Sequence, residues 1–205
     1  MSVSSDHAAE LAPRLNWLRR GDPSARTVVL MLPGGRARSH QRVHRHQLAY
    51  LRVAALGRAV ARSAPEVPFL QLQYRFRGWN DGEADPLADA HWAMRKLAAE
   101  RPGTSVVVIG HSMGGRVGLR LGDQVSGVCA LAPWIVPGEP VCRAPGRAVI
   151  AHGTSDRWTD PRASHAYARR AGIPWYPVER SGHTMLRRSR TWRSLVTTFL
   201  ATALT

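Results

Sequence analysis

Apolar residues in this chain gather in short dense runs separated by longer amphipathic stretches. TVVLML (27–32), FLQLQY (69–74), SVVVIG (105–110), VSGVCALA (125–132) and RAVIAHG (147–153) have the length of strands, and most are rich in Val, Ile and Leu. Continuous runs of this kind belong to buried parallel strands. IPWYPV (173–178) is a weaker sixth candidate. Between the runs the spacing turns helical. Residues 40–62 carry Leu48, Leu51, Ala55 and Ala59 at helical intervals, and residues 86–100 carry Leu87, Ala90, Met94 and Leu97 before Pro102 ends the pattern. Stretches 112–122, 161–171 and 186–203 complete the helices. Asp160-Pro161 is a strong start for the fourth, with Asp as N-cap and Pro at the first helical position.

Strands alternating with helices predict an α/β fold: a mostly parallel central sheet of about six strands, helices on both faces. No internal repeat, low-complexity tract or linker interrupts it. The chain reads as one domain over 1–205, with 1–26 as an N-terminal extension. At 205 residues it is long enough for a real core. Composition, 44% hydrophobic and 21% charged, excludes a disordered chain. No apolar run approaches the ~20 residues of a membrane span. The opening MSVSSDHAAELAPRLNWLRR lacks a basic segment followed by an apolar one, so a cytoplasmic location is expected.

Charge adds one question. The formal net charge is +15, and 28 of the 29 basic residues are arginine, Lys96 being the exception. An anionic partner is one reading and a solvated basic surface the other. The arginines are scattered, with no basic block interleaved with aromatics, so nucleic acid is not the expected partner. Cys129 and Cys142 form no CxxC pair. The first sits in an apolar run and the second in a Pro/Gly-rich loop, which favours free thiols.

In open α/β sheets, ligands bind at the carboxyl ends of the strands. After the third strand comes Gly110-His111-Ser112-Met113-Gly114-Gly115, a G-x-S-x-G pattern between a strand and a helix. A side chain on so sharp a turn is strained, and Gly110 and Gly114 supply room. After the first strand, Leu32-Pro33-Gly34-Gly35 forms a glycine turn. Its Gly35 N–H, with that of Met113, makes a candidate oxyanion hole. An ordinary turn is the alternative, and the adjacent serine motif favours the functional reading. After the fifth strand Asp156 is the candidate acid, with Asp160 assigned to the helix cap. After the last strand His183 is the candidate base. The order Ser112, Asp156, His183 is the one that accompanies a nucleophile elbow. Of the other histidines, His111 packs at the elbow and His152 hydrogen-bonds locally. His40, His44 and His46 lie on an Arg-rich helix start with no carboxylate joining them, so no metal site is expected.

Together, GHSMGG (110–115), LPGG (32–35), HGTSD (152–156) and SGH (181–183) resemble the nucleophile elbow, oxyanion loop, acid loop and histidine loop of the α/β-hydrolase fold family. The resemblance spans roughly 27–203. Pro33 stands where the family often has His, the family's opening antiparallel strands are not evident in 1–26, and Pro133 to Arg147 is too short for a large cap. The resemblance implies a compact, capless serine hydrolase. It would cleave a small-molecule carboxylic ester or thioester, an anionic one included, through an acyl-enzyme on Ser112, His183 and Asp156, without cofactor. An acyltransferase on the same triad, or a catalytically inert ligand-binding protein, are the alternatives. Loop Tyr74–Trp79 is expected at the same rim, either binding an anionic group through Arg75 or Arg77 or forming a packed aromatic turn.

Overall fold

The computed structural model describes residues 11–143 and 146–204. Of the stretch assigned to an N-terminal extension, residues 1–10 lie outside the described residues. In chain order the elements are β1 (Arg14–Arg19), β2 (Thr27–Leu32), α1 (Leu48–Val60), β3 (Phe69–Gln73), α2 (Asp85–Glu100), β4 (Ser105–His111), α3 (Met113–Leu121), β5 (Gly127–Leu131), β6 (Arg147–Gly153), α4 (Pro161–Ala171), β7 (Trp175–Val178) and α5 (Ser189–Ala203). The seven strands form one sheet in the order β1-β3-β2-β4-β5-β6-β7. β1 runs antiparallel to β3, and every other pair is parallel.

The seventh strand, β1, lies inside the stretch expected to hold none. Its sequence RLNWLR carries three apolar residues among three polar ones, and it sits at the sheet edge. Edge strands are commonly charged and short, so they leave little apolar signature. Leu15 and Leu18 tie it to the two sides of the core.

Alternation along the central strands divides the core into two layers. Val28, Leu30, Leu32, Val106, Val108, Val128 and Ala130 meet α2, α3 and α4. Val29, Met31, Val107, Ile109, Cys129 and Leu131 meet α1 and α5 on the opposite face. Residues 28 to 32 are completely buried on both faces, which explains why the strand reads as a continuous apolar run. Register aligns the strand ends: Leu32 pairs with Gly110, and Gly110 with Ala130. The loops after β2, β4, β5, β6 and β7 therefore emerge along one edge.

Helix α1 departs from expectation. It begins at Leu48, because residues 36–47 form a loop laid against residues 75–80. Its buried face is Tyr50, Val53, Ala54, Gly57 and Val60. The stripe visible in sequence, Leu48, Leu51, Ala55 and Ala59, is on another side of the helix. Both cysteines are free, and burial pushes the Cys129 thiol up to about 12.

Candidate active site

Strand β4 feeds directly into α3 through Ser112, whose φ is 55° and ψ −117°. An L-residue pays strain for that conformation, of order 1–3 kcal/mol. Close packing holds it. A Cβ on Gly110 would collide with the carbonyl of Gly114, and one on Gly114 with that of Leu32. Ser112 N–H donates to the Leu131 carbonyl at 2.9 Å, while its own carbonyl accepts from the Arg116 and Trp134 N–H groups at 3.1 Å. The serine is thus pinned from β5, α3 and the loop after β5.

The turn after β2 lies against it. A Cβ on Gly34 would come 3.3 Å from Ser112 Cβ, and one on Gly35 would overlap the Met113 side chain. The N–H groups of Gly35 and Met113 have no partner among the loop and turn hydrogen bonds of the described residues. Both are available to an incoming acceptor.

The acid and the histidine meet across the next two strands. His183 Nδ1 lies 2.8 Å from Asp156 Oδ2. A carboxylate only accepts, so Nδ1 carries the proton and Nε2 is left with its lone pair. Asp156 is enclosed. Its Oδ2 also takes the Thr159 hydroxyl at 2.9 Å and His152 Nε2 at 3.2 Å, and its Oδ1 takes the N–H groups of Trp158 at 2.8 Å and Thr159 at 3.1 Å. Burial pushes the carboxyl toward protonation, but these donors outweigh it and hold it well below the usual carboxylate range. Asp160, the competing acid, caps α4 by accepting from Arg162 N–H at 2.8 Å. Backbone bonds stitch the two loops together: Thr154 N–H to Val178 O at 3.1 Å and Ser155 N–H to Ser181 O at 3.0 Å.

His183 reaches the elbow through His111. The His111 Nε2–H donates to the His183 carbonyl at 2.9 Å, and the two rings lie 4.8 Å apart. Burial, then the neighbouring His183, push His111 down to about 3, so it stays neutral. Ser112 and His183 are both buried. No hydrogen bond joins Ser112 Oγ to His183 among the described residues, and such bonds commonly tighten only with substrate. Thr159 carried no signal in sequence; only folding brings its hydroxyl and main-chain N–H to the two oxygens of Asp156.

The surroundings decide between the alternatives open for the loop after β3, and they place carboxylates beside His40 where none was expected. Arg75 does not face the site: Asp89 and Asp85 hold its guanidinium at 2.5 and 3.2 Å. Tyr74 and Trp79 are buried, so that end of the loop is a packed turn. His40 does have carboxylate neighbours, Glu83 at 3.1 Å and Asp85 close by, but Asp85 already serves Arg75 and Asn80. One turn after Ser112, Arg116 is stacked with its Cζ 3.8 Å from the Trp79 ring centre and 4.8 Å from that of Trp134. Its Nε sits 2.7 Å from the buried Glu139 carboxylate but off the hydrogen-bond line, so the contact is Coulombic.

No family model and no curated protein matches the chain. Solved structures do. An α/β serine hydrolase without lid from Xanthomonas campestris superposes with a TM-score of 0.73 at 16% identity, covering 92% of this chain and 88% of that one. Pyrococcus furiosus esterase Pf2001 gives 0.68 at 13% identity over 100% and 98% of the two chains. Est1E from Butyrivibrio proteoclasticus gives 0.67 at 12% over 94% and 93%. With its strand order and its elbow at Ser112, and with no lid domain among the described residues, the chain has the α/β-hydrolase fold in its lidless form.

Proposed function

We propose that the protein is a serine hydrolase that cleaves a carboxylic ester or thioester through an acyl-enzyme on Ser112. The observation that carries the reading is the 2.8 Å pairing of His183 with a buried, ionised Asp156, next to a strained serine at a strand-to-helix turn. In the first step His183 Nε2 takes the Ser112 proton as Oγ attacks the carbonyl carbon. Asp156 keeps His183 in the required tautomer and stabilises the imidazolium. The N–H groups of Gly35 and Met113 receive the oxyanion, each worth about 3–4 kcal/mol by analogy with measured donors. The tetrahedral intermediate collapses, and His183 protonates the departing alcohol or thiol. Water, deprotonated by the same histidine, then attacks the acyl-enzyme, and Ser112 leaves with its proton restored.

The test is hydrolysis of p-nitrophenyl acetate together with labelling by a fluorophosphonate. Wild type is expected to turn over the ester and label once, at Ser112. Ser112→Ala is expected to lose at least ~10⁴-fold in kcat without unfolding, since alanine meets the same backbone strain as serine. An unlabelled wild type that turns over no ester sinks the reading and leaves a ligand-binding protein. Acyl transfer to an added alcohol in place of water would redirect it to an acyltransferase.

A further inference from the structure

The second apolar stripe of α1 has no partner among the described residues. Leu48 is 77% exposed and Leu51 45% exposed, and Ala55 and Ala59 continue the line at the next turns. Facing them, Leu186 is 72% exposed and Trp192 forms the floor from α5. Together they bound a groove of about 500 Å³ between α1 and α5. Large aliphatic residues scattered singly over a surface need no explanation, but a contiguous apolar patch does.

Continuity with the site identifies the occupant. Thr184 and Met185, which directly follow His183, line the groove. Leu48 lines it too, and is also part of a second cavity, of about 250 Å³, formed by Pro33, Gly34, Gly35 and Arg36. The groove therefore borders the loop just after His183 and meets, at Leu48, the cavity beside the glycine turn. From Leu48 to Ala59 the helix rises about 16 Å, room for a hydrocarbon chain on the order of ten carbons. The walls carry no acidic residue among the described ones. Among the described residues its charged members are Arg52, Arg190 and Arg193, so the groove would repel a cationic chain and tolerate a neutral or anionic one. Their stems add further apolar wall.

We infer that the α1–α5 groove is the acyl subsite, and that the substrates are esters or thioesters of medium- to long-chain, unbranched fatty acids. The inference rests on the ester-hydrolase reading of Ser112. The carbonyl lies at Ser112 with its oxygen toward Gly35 and Met113, and the chain runs past Thr184 and Leu48 along Ala55 and Ala59.

The experiment has two arms. In the first, kcat/KM is measured for p-nitrophenyl esters from acetyl to dodecanoyl. Complete burial of each added CH₂ is worth about fourfold, so the decanoyl-to-acetyl ratio is expected to exceed 100. Ala55→Trp and Ala59→Trp, at surface positions that can accept bulk, are expected to cut that ratio at least tenfold. A ratio near one, or a ratio that both variants leave intact, overturns the assignment. In the second arm, decanoate binding to Ser112→Ala is followed by calorimetry, with and without Ala55→Trp. This arm needs no catalysis. If no ester is cleaved, the hydrolase reading falls, and decanoate binding lost in Ala55→Trp still supports the groove. Absent or unaltered binding overturns it.

Discussion

Two regions meet at His183 and are built on opposite physics. On one side, the Asp156 carboxylate is fully buried and accepts five hydrogen bonds, three on Oδ2 and two on Oδ1. On the other, within three residues, Leu186 stands in solvent beside Leu48 and Leu51 over a largely apolar groove. The first region leaves its side chains little freedom. A proton-transfer pair gains from that, because preorganised donors and acceptors cost no rearrangement during reaction. The second region is directional for nothing. It fits any apolar chain of suitable width, and its contribution scales with buried area. Under the proposed function, chemistry and selectivity fall to neighbouring loops of different character, and each can be perturbed separately.

The largest expected effect breaks the polar side alone. Asp156→Asn keeps the shape but lets His183 take the wrong tautomer, and kcat on p-nitrophenyl esters is expected to fall about 10⁴-fold. Decanoate binding should persist, and equal losses in both measurements would show that the two regions are not separable. The next effect concerns the neutral core of that side. His111 in the folded protein is held down to about 3, against an ordinary 6.5. A folded pKa below the unfolded one means that the unfolded chain binds the proton first. Stability is therefore complete above pH 6.5 and is lost as pH falls toward 3, by up to on the order of 5 kcal/mol. Urea unfolding at pH 7 and pH 4.5 checks this, with a smaller difference expected in His111→Gln. The smallest effect sharpens the role of Thr159. Thr159→Val removes one donor from Asp156, and kcat is expected to drop about tenfold, with recovery in Thr159→Ser. A Ser variant as slow as Val would assign Thr159 to packing instead.

Much of the fold was legible, because a strand covered on both faces must be apolar at every position. Residues 27–32 and 147–153 coincide with β2 and β6. Strand β1 was not legible, since an edge strand with half its surface in water needs no such run. In α1, two stripes compete, and periodicity cannot tell which one faces the sheet. The leucine-bearing stripe was the more conspicuous, yet Gly57 and the small residues around it lie against the sheet. At the candidate site, glycine spacing and the order of strand ends single out Ser112, Gly35, Met113, Asp156 and His183, and the structure pairs His183 with Asp156. His152 is legible only as a local hydrogen-bonder and Thr159 not at all, because a donor to a buried carboxylate carries no pattern along the chain.

The sequence by itself determined which residues stand at the strand ends. Strand length and burial on both faces are local properties of composition, and glycines two positions either side of Ser112 are a local steric requirement. Only the tertiary structure decided that Thr159 and His152 converge with His183 on Asp156, that Arg75 turns inward to Asp85 and Asp89, and that the exposed leucines of α1 lie beside the loop after His183. Those outcomes depend on which distant surfaces meet, and residues far apart in the chain have no spacing that records their contact.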